Sequence, residues 1–212
     1  MVPESPRLHR RLPRPSEFAP LLQRRERATT RDARRVQGAA DIADLRRIAR
    51  RRRPRAVFDY VDGGAEGEIA MRRARAAFES VEFRPYVLRD VTTVSTRTTI
   101  LGAESSMPLV FGPTGYTRMM HAAGEPAVAR VAAREGIPYA LSTVGTTSPA
   151  DLAVASGTGR RWFQLYVQRN RDRSLALIEQ AKAAGFDTLV LTVDVPVTGG
   201  RLRDVRNGLT IP

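Results

Sequence analysis

The second half of the chain alternates short apolar runs with amphipathic stretches. The apolar runs cover residues 108–112, 139–143, 162–167 and 188–194. Between these runs, apolar residues recur at helical spacing over 125–135, 149–155 and 173–184. Near-continuous apolar strands that are linked by helices are typical of a parallel sheet buried on both faces. The pattern therefore predicts an α/β fold with four parallel strands.

Residues 41–80 precede this region and predict three short helices. The first begins at Asp41, a residue type that favours the N-cap position, and ends before Pro54. The second covers 55–61 and stops at a Gly-Gly pair, and the third covers 66–78. We call this region the helical prelude to the sheet.

Residues 1–40 are rich in proline and arginine, have weak periodicity, and predict an irregular basic arm. The formal net charge is +13, and the first 55 residues hold 17 arginines against 6 acidic residues. Such a segment could bind nucleic acid or an anionic membrane by counterion release. No aromatic residues interleave with the arginines, however, and Lys182 is the only lysine in the chain. We therefore favour a solvated basic face over a dedicated anionic partner.

Composition excludes several classes of chemistry. The chain has no cysteine, which rules out disulfides, thiolate catalysis and cysteine-ligated metals within it. No stretch is apolar enough over about 18 residues to span a bilayer, and no apolar segment follows the basic start. We expect a cytoplasmic protein with one domain over 41–212 and an arm over 1–40.

Each of the four apolar runs ends in residues that a buried strand does not need. These are Pro113-Thr114-Gly115, Ser142-Thr143, Gln164 with Tyr166, and Thr192 with Asp194. A (β/α)8 barrel collects its site from the carboxyl ends of all strands, whereas an open doubly wound sheet binds at one switch point. No G-x-G-x-x-G follows the first run. The pattern favours a barrel, of which four of eight strands are present.

Six motifs occur in the order and spacing of one known family. They are FDYVDGGAE at 58–66, GPTG at 112–115 followed by Met120-His121 and Gly124-Glu125, LST at 141–143, FQLY at 163–166, LTVD at 191–194, and GRLRD with Asn207-Gly208 at 200–208. Over residues 41–212 the chain resembles the FMN-dependent 2-hydroxy acid dehydrogenases and oxidases, which include glycolate oxidase, lactate dehydrogenase and mandelate dehydrogenase. Its arm resembles that of actinobacterial lactate dehydrogenase-like members.

The resemblance implies a fold and an activity. It implies the amino-terminal half of a (β/α)8 TIM barrel, with the helical prelude at 41–80, the first four strands at about 108–194 and the loop after strand four at 195–212. The implied cofactor is FMN, and the implied reaction is oxidation of a small, lactate-like L-2-hydroxy acid to the 2-oxo acid. Members of the family are commonly homo-oligomers.

The resemblance also assigns flavin-binding roles to residues at the strand ends. The backbone of Pro113, Thr114 and Gly115 would lie beside the flavin ring, where a glycine lets the main chain approach closely. Ser142, Gln164 and Thr192 would hydrogen-bond the pyrimidine edge of the ring, whose acceptors and donor an amide and hydroxyls can match.

Substrate contacts would come from Tyr60, Tyr166 and Arg201. A guanidinium can grip a carboxylate in a bidentate fork, and phenolic hydroxyls can complete the grip. Arg203 is a local alternative to Arg201. Together these residues favour a 2-hydroxy acid enzyme over a related flavin barrel of different chemistry, such as an isomerase. A binding module that acts through its basic arm is a second alternative, which steep salt dependence of nucleic acid binding would support.

The resemblance places the catalytic base, a histidine, and a flavin-stabilising lysine beyond Pro212. His121 matches a different family position, so we expect it to be structural. The expected chain is therefore a truncated and inactive fragment that holds the flavin ring and the substrate without the groups that move protons.

Half a barrel would leave strand edges and an apolar inner face uncovered. We therefore expect the 212-residue chain, expressed alone, to be poorly soluble or self-associating and to bind flavin weakly. Size-exclusion chromatography and flavin titration test this expectation. A monodisperse yellow protein that oxidises lactate would contradict it.

Overall fold

The computed structural model describes residues 14–18, 28–195, 197 and 199–211. The chain divides into two compact units, residues 1–52 and 53–212. The predicted basic arm is described only over 14–18 and 28–40, and its remaining positions lie outside the described residues. No helix in the described part of the chain is long and apolar enough to cross a membrane.

Among its described residues, the first unit contains the helices α1 (Pro15–Phe18), α2 (Arg31–Gln37) and α3 (Ile42–Arg52). The prediction of an irregular segment was wrong for α2, because Thr30 caps this helix and accepts a hydrogen bond from the Ala33 amide at 3.1 Å. Asp32, in its first turn, pairs with Arg35 and with Arg52 of α3. Part of the basic charge is therefore neutralised within this unit.

The second unit begins with the helices α4 (Arg55–Asp62) and α5 (Ile69–Glu79). Helix α4 follows Pro54, which cannot continue a preceding helix, and Phe58 is its buried residue. Helix α5 starts three residues later than predicted, because Glu66 and Glu68 adopt left-handed conformations at φ 48° and 57°. The three predicted prelude helices are otherwise confirmed.

An antiparallel hairpin that the sequence did not predict follows the prelude. Strands β1 (Thr98–Ile100) and β2 (Ala103–Ser105) pair through three residues each. The turn between them consists of Leu101 and Gly102, both at positive φ, as the tight turns that match strand twist require. Strands of three residues are too short to give a clear alternation, which is why the pattern was missed.

The main sheet has three parallel strands in the order β3 (Tyr139–Ser142), β4 (Arg161–Leu165) and β5 (Thr188–Leu191). The first predicted run, 108–112, is not a strand; it forms a single parallel bridge from Phe111 to Tyr139. Prolines at 108 and 113 remove the amide donors that a longer ladder would need. The parallel order is nevertheless the predicted one.

Helices alternate with these strands as predicted. They are α7 (Gly124–Glu135), α8 (Pro149–Ser156) and α9 (Arg171–Ala183), and two shorter helices, α6 (Thr117–Met120) and α10 (Leu202–Asn207), occupy segments expected to be loops. Gly136 ends α7 in a left-handed conformation at φ 66°, where its amide satisfies helix-end carbonyls. The described part of the unit is thus a run of β/α repeats.

The hydrophobic core lies between the sheet and its helices. Its fully buried side chains include Leu141 of β3 and Leu152 of α8, and Phe163 of β4 packs edge-on against Phe186. Strand β5 is less enclosed, since Leu189 and Leu191 are about half exposed. Burial is therefore deepest at β3 and β4, the strands that carry the first polar strand ends.

Glu125 is a charged side chain inside this core. It is fully buried in the first turn of α7 and accepts hydrogen bonds from the Thr146 amide and hydroxyl, each at 2.6 Å, and from the Thr147 hydroxyl at 2.9 Å. Burial alone would raise the pKa of Glu125, but the hydrogen bonds together outweigh it and hold that pKa below the usual 4.5. The ionised carboxylate thus joins α7 to the loop after β3.

Replacing Glu125 by glutamine should destabilise the unit by about 1–3 kcal/mol, because a neutral amide accepts these hydrogen bonds less strongly. A depressed pKa stabilises the fold above the unfolded pKa of about 4.5, and this contribution is lost as pH falls through the folded pKa. Urea unfolding at pH 7 and at pH 4 measures both effects. Glu135→Gln, at the exposed end of the same helix, is the control and should change stability by less than about 0.5 kcal/mol.

Candidate functional site

Three polar side chains join the carboxyl ends of β3, β4 and the residue after β5. The Ser142 hydroxyl donates to Gln164 Oε1 at 3.1 Å, and Gln164 Nε2 donates to Thr192 Oγ1 at 2.8 Å. Ser142 and Gln164 are buried at 5% and 3% exposure. Parallel pairing places Ser142 opposite Gln164 in the register, so the two side chains meet without any distortion of the sheet. The structure thus brings these three predicted residues together.

Capacity for further hydrogen bonds remains at this edge. Gln164 Oε1 accepts from Ser142 and from the Thr143 amide at 3.2 Å, which uses both of its lone pairs. One N–H of Gln164 and the hydroxyl hydrogen of Thr192 are not consumed by the bonds of this network. These two donors match the carbonyl oxygens at the pyrimidine edge of a flavin ring. The strand ends therefore fit the group that the resemblance implies.

The loop after Phe111 carries the other predicted flavin contacts. Pro113 and Thr114 are exposed, and Gly115 is half-buried. A Cβ added at Gly115 would lie 2.5 Å from Val144 Cγ2, so Gly115 packs closely against the loop after β3 and a larger residue would require Val144 to move. The approach of this backbone to a flavin stays a prediction.

Tyr60 and Arg201 form the centre of a second cluster. The Arg201 guanidinium lies over the Tyr60 ring at 4.8 Å, and its Nη2 donates to the backbone carbonyls of Tyr60 and Gly63. Its Nε donates to Asp204 Oδ2 at 2.6 Å. Two of the three guanidinium nitrogens are thus engaged by the protein, so Nη1 is the nitrogen through which Arg201 can bind a ligand.

Tyr166 and Tyr116 lie within electrostatic range of Tyr60. Burial raises the pKa of the Tyr60 hydroxyl, Arg201 lowers it, and both phenols together with Asp204 raise it, so that it stays above its usual value. Tyr60 therefore remains a hydrogen-bond donor at neutral pH. Tyr60 and Arg201 are thus in direct contact, and Tyr166 lies near enough to Tyr60 to influence its pKa.

Sequence reasoning missed Tyr116 and Asp204 as members of this cluster. Tyr116 directly follows the glycine-containing loop motif, and its ring meets Tyr60 edge-on at a centroid distance of 6.4 Å. Asp204 is 7% exposed and follows Arg201 by three residues, a helical spacing that could have indicated the ion pair. Its Oδ1 is buried and has no hydrogen-bond partner in the described part of the chain.

Thr143 connects the two clusters. Its hydroxyl donates to the Gln164 carbonyl at 2.6 Å and accepts from the Tyr166 amide at 3.0 Å. The direction in which the chain leaves β4 is therefore fixed immediately before Tyr166. Thr143 thus connects the polar strand ends to Tyr166, which lies near Tyr60.

Arg203, the local alternative to Arg201 as the substrate-binding arginine, instead forms ion pairs within the protein. Its guanidinium forms a bidentate pair with Glu68 at 2.6 Å and donates to Asp62 at 2.9 Å. The hydrogen bond from Arg203 lowers the pKa of Glu68. Asn207 donates to Asp59 at 2.8 Å. These contacts dock α10 on α4 and on Glu68, the residue before α5, so Arg203 supports the site without facing a ligand.

The remaining candidates are placed outside the site chemistry. His121 accepts a local hydrogen bond from the Ala123 amide through Nδ1 at 3.1 Å, within the turn before α7. Lys182 lies exposed in the last turn of α9. No cluster of potential metal ligands occurs among the residues that the structure describes.

Comparison with known proteins identifies the family. Residues 49–212 match the FMN-dependent dehydrogenase family profile. The chain belongs to the FMN-dependent dehydrogenase family. It is 54% identical to a putative L-lactate dehydrogenase of Mycobacterium tuberculosis over 97% of this chain and 50% of that protein. It is 43% identical to 4-hydroxymandelate oxidase of Amycolatopsis orientalis over 81% of this chain and 47% of that protein.

Solved structures show the same fold. Mandelate oxidase in complex with 3,3-difluoro-2-hydroxy-3-phenylpropionic acid superposes with a TM-score of 0.77 at 42% identity, over 82% of this chain and 52% of that one. A mandelate oxidase mutant, with a TM-score of 0.75 at 42% identity over 80% of this chain and 51% of that one, holds a C4a-OH-FMN adduct. The predicted partial α/β barrel and its FMN dependence are confirmed at the level of the family. The chain spans about half the length of the curated relatives it matches.

Replacing Arg203 by glutamine should loosen α10, because Glu68 and Asp62 lose their shared cation. We expect faster hydrogen exchange of the α10 amides and unchanged exchange in β3 and β4, which hydrogen–deuterium exchange with mass spectrometry resolves. Arg206→Gln, in the exposed last turn of α10, is the matched control and should leave exchange unaltered. Equal effects of the two variants would contradict the docking role of Arg203.

Proposed function

We propose that this chain supplies the flavin-ring and substrate-binding part of an FMN-dependent enzyme that oxidises a small, lactate-like L-2-hydroxy acid to the 2-oxo acid. The observation that carries the proposal is the continuity of the site. The polar strand ends, Ser142, Gln164 and Thr192, connect through Thr143 to the cluster of Tyr166, Tyr60 and Arg201.

The strand ends would hold the flavin ring by its pyrimidine edge. Bound FMN supplies the acceptor for the two electrons that leave the substrate. Gln164 would donate its second amide hydrogen, and Thr192 its hydroxyl hydrogen, to the carbonyl oxygens of the ring. Neither hydrogen takes part in the bond between the two side chains. Because Gln164 is 3% exposed and fixed by Ser142 and Thr143, these donors are oriented before any ligand arrives.

The tyrosine cluster would hold the carboxylate of the acid. Arg201 would bind the carboxylate through Nη1 alone and not through a bidentate pair of nitrogens. Its Nε donates to Asp204, and its Nη2 donates to the carbonyls of Tyr60 and Gly63. Asp204 also balances the charge of Arg201, so the phenolic hydroxyls of Tyr60 and Tyr166 would provide much of the remaining grip as neutral donors. This arrangement would bind the carboxylate of a small 2-hydroxy acid.

Preference for a lactate-like acid is supported by the names of several relatives. Besides the mycobacterial protein, an L-lactate dehydrogenase of Caulobacter sp. is 44% identical over 82% of this chain and 45% of that protein. Relatives at similar identity are named 4-hydroxymandelate oxidase and mandelate oxidase, so their names also specify 2-hydroxy acids but with an aromatic side chain. The carboxylate and hydroxyl end is thus the part of the substrate that the proposal specifies most firmly.

We further propose that these 212 residues alone bind ligands without turnover. Proton abstraction from the substrate needs a base within hydrogen-bond reach of the reacting group. Of the two histidines, His121 is bound into the turn before α7 and His9 lies outside the described residues. Anaerobic addition of the chain to FMN and L-lactate, with flavin reduction followed at its visible absorption band, tests this. Reduction by the chain alone would contradict it.

Flavin binding should depend on the ring and not on the phosphate, because every proposed contact is a ring contact. Riboflavin and FMN should therefore bind the chain weakly and with dissociation constants within about threefold of each other. Flavin fluorescence titration measures both constants. Tight binding of FMN without binding of riboflavin, or no binding of either, would contradict the proposed site.

Loss of a hydrogen-bond donor at the strand ends should weaken the binding of both FMN and riboflavin. Thr192→Val and Gln164→Leu should each raise the dissociation constants about tenfold, the equivalent of one net hydrogen bond. Gln180→Leu, on the exposed face of α9, is the matched control and should leave them unchanged. Circular dichroism of each variant separates loss of binding from loss of fold.

A further inference from the structure

Tyr116 has a backbone conformation that aromatic residues rarely adopt. Its φ of 52° and ψ of 32° lie in the left-handed region, which is unfavourable for any residue with a Cβ. The Tyr116 amide donates to the Val144 carbonyl at 3.0 Å, which ties this conformation to the loop after β3. Strain of this kind persists where the surroundings fix it, and it concentrates at binding sites.

The strained backbone places the Tyr116 ring in the substrate cluster. The ring meets Tyr60 edge-on, with the centroids 6.4 Å apart and the planes at 72°. Arg201 lies over the same Tyr60 ring at 4.8 Å. Tyr116 is half-buried, so part of its surface stays accessible. The result is a row formed by the guanidinium, the Tyr60 ring and the Tyr116 ring.

Position along the chain puts Tyr116 between two predicted contacts. It follows Gly115, whose backbone is expected beside the flavin, and it touches Tyr60, which is expected to bind the acid. Arg201 Nη1 and the phenols of Tyr60 and Tyr166 account for the polar end of a 2-hydroxy acid. The apolar side chain of the acid then requires an apolar surface next to them, and the face of an aromatic ring provides one.

We propose that Tyr116 is a further substrate-binding residue, whose ring forms the wall against which the side chain of the 2-hydroxy acid packs and thereby limits its length. The inference rests on the proposed function, because it assumes that the cluster of Tyr60, Tyr166 and Arg201 binds the acid. It makes Tyr116 a determinant of substrate size and assigns it no part in electron or proton transfer.

Removal of the ring tests this directly. Glycine fits the left-handed conformation without strain, so Tyr116→Gly deletes the wall and leaves the backbone in place. The FMN-saturated 212-residue chain is titrated calorimetrically with L-lactate and with L-2-hydroxyhexanoate. We expect Tyr116→Gly to shift the ratio of the two affinities about tenfold toward the longer acid, the size of effect that pocket methylenes produce.

Two variants serve as controls. Tyr116→Phe keeps the ring and should keep the wild-type ratio, which separates the wall from the hydroxyl. Tyr86→Gly removes a tyrosine that is 67% exposed and lies next to Arg84 and Arg89, and it should also leave the ratio unchanged. Should Tyr116→Gly fail to fold, Tyr116→Asn is the second small variant, because asparagine tolerates the left-handed region, and the same shift is expected.

The outcomes distinguish the two proposals. A wild-type chain that binds L-lactate, together with a Tyr116→Gly variant whose ratio is unchanged, overturns the role of Tyr116 and leaves the proposed function standing. A wild-type chain that binds neither acid overturns the proposed function and this inference with it. If Tyr116→Phe shifted the affinity ratio as much as Tyr116→Gly, the effect would belong to the hydroxyl, and the proposed packing role of the ring would be wrong.

Discussion

The parallel register of β3, β4 and β5 is the constraint on which the site depends. Parallel strands end at the same edge of a sheet, so the register alone places the polar residues at the strand ends next to each other. The pairing of Ser142 with Gln164 and the bond from Gln164 to Thr192 are direct results of this register. A slip of one residue would turn these side chains to the opposite face.

The substrate cluster depends on a second contact, between two segments that are far apart in the chain. The segment from Gly200 to Asn207 lies along the end of α4, where the Glu66 amide donates to the Gly200 carbonyl at 2.6 Å. A side chain at Gly200 would lie 2.6 Å from Glu66 Oε1, so a larger residue there would require the Glu66 side chain to move. Arg203 then pairs with the acidic residues of the prelude. Arg201 is consequently held beside Tyr60.

Much of this architecture followed from sequence patterns, and the errors have specific causes. The helix after Asp41 was predicted because a capping residue and apolar periodicity agree there, and the helices near 125–135, 149–155 and 173–184 were predicted from apolar periodicity. The first strand was predicted from an apolar run, but flanking prolines limit it to one bridge at Phe111. The β1–β2 hairpin and α10 were missed because strands of three residues and a helix of six carry little periodic signal.

The sequence by itself determined the β/α order, the family and the residue types at the strand ends, because apolar spacing and ordered motifs are local properties of the chain. The tertiary structure alone decided how those residues share their bonds. In the folded chain, Arg201 donates hydrogen bonds to Asp204 and to backbone carbonyls, and Arg203 pairs with Glu68 and Asp62. The Tyr116 ring packs against Tyr60. Apart from the local pair of Arg201 and Asp204, these contacts join segments that are far apart in the chain, and no local pattern records them.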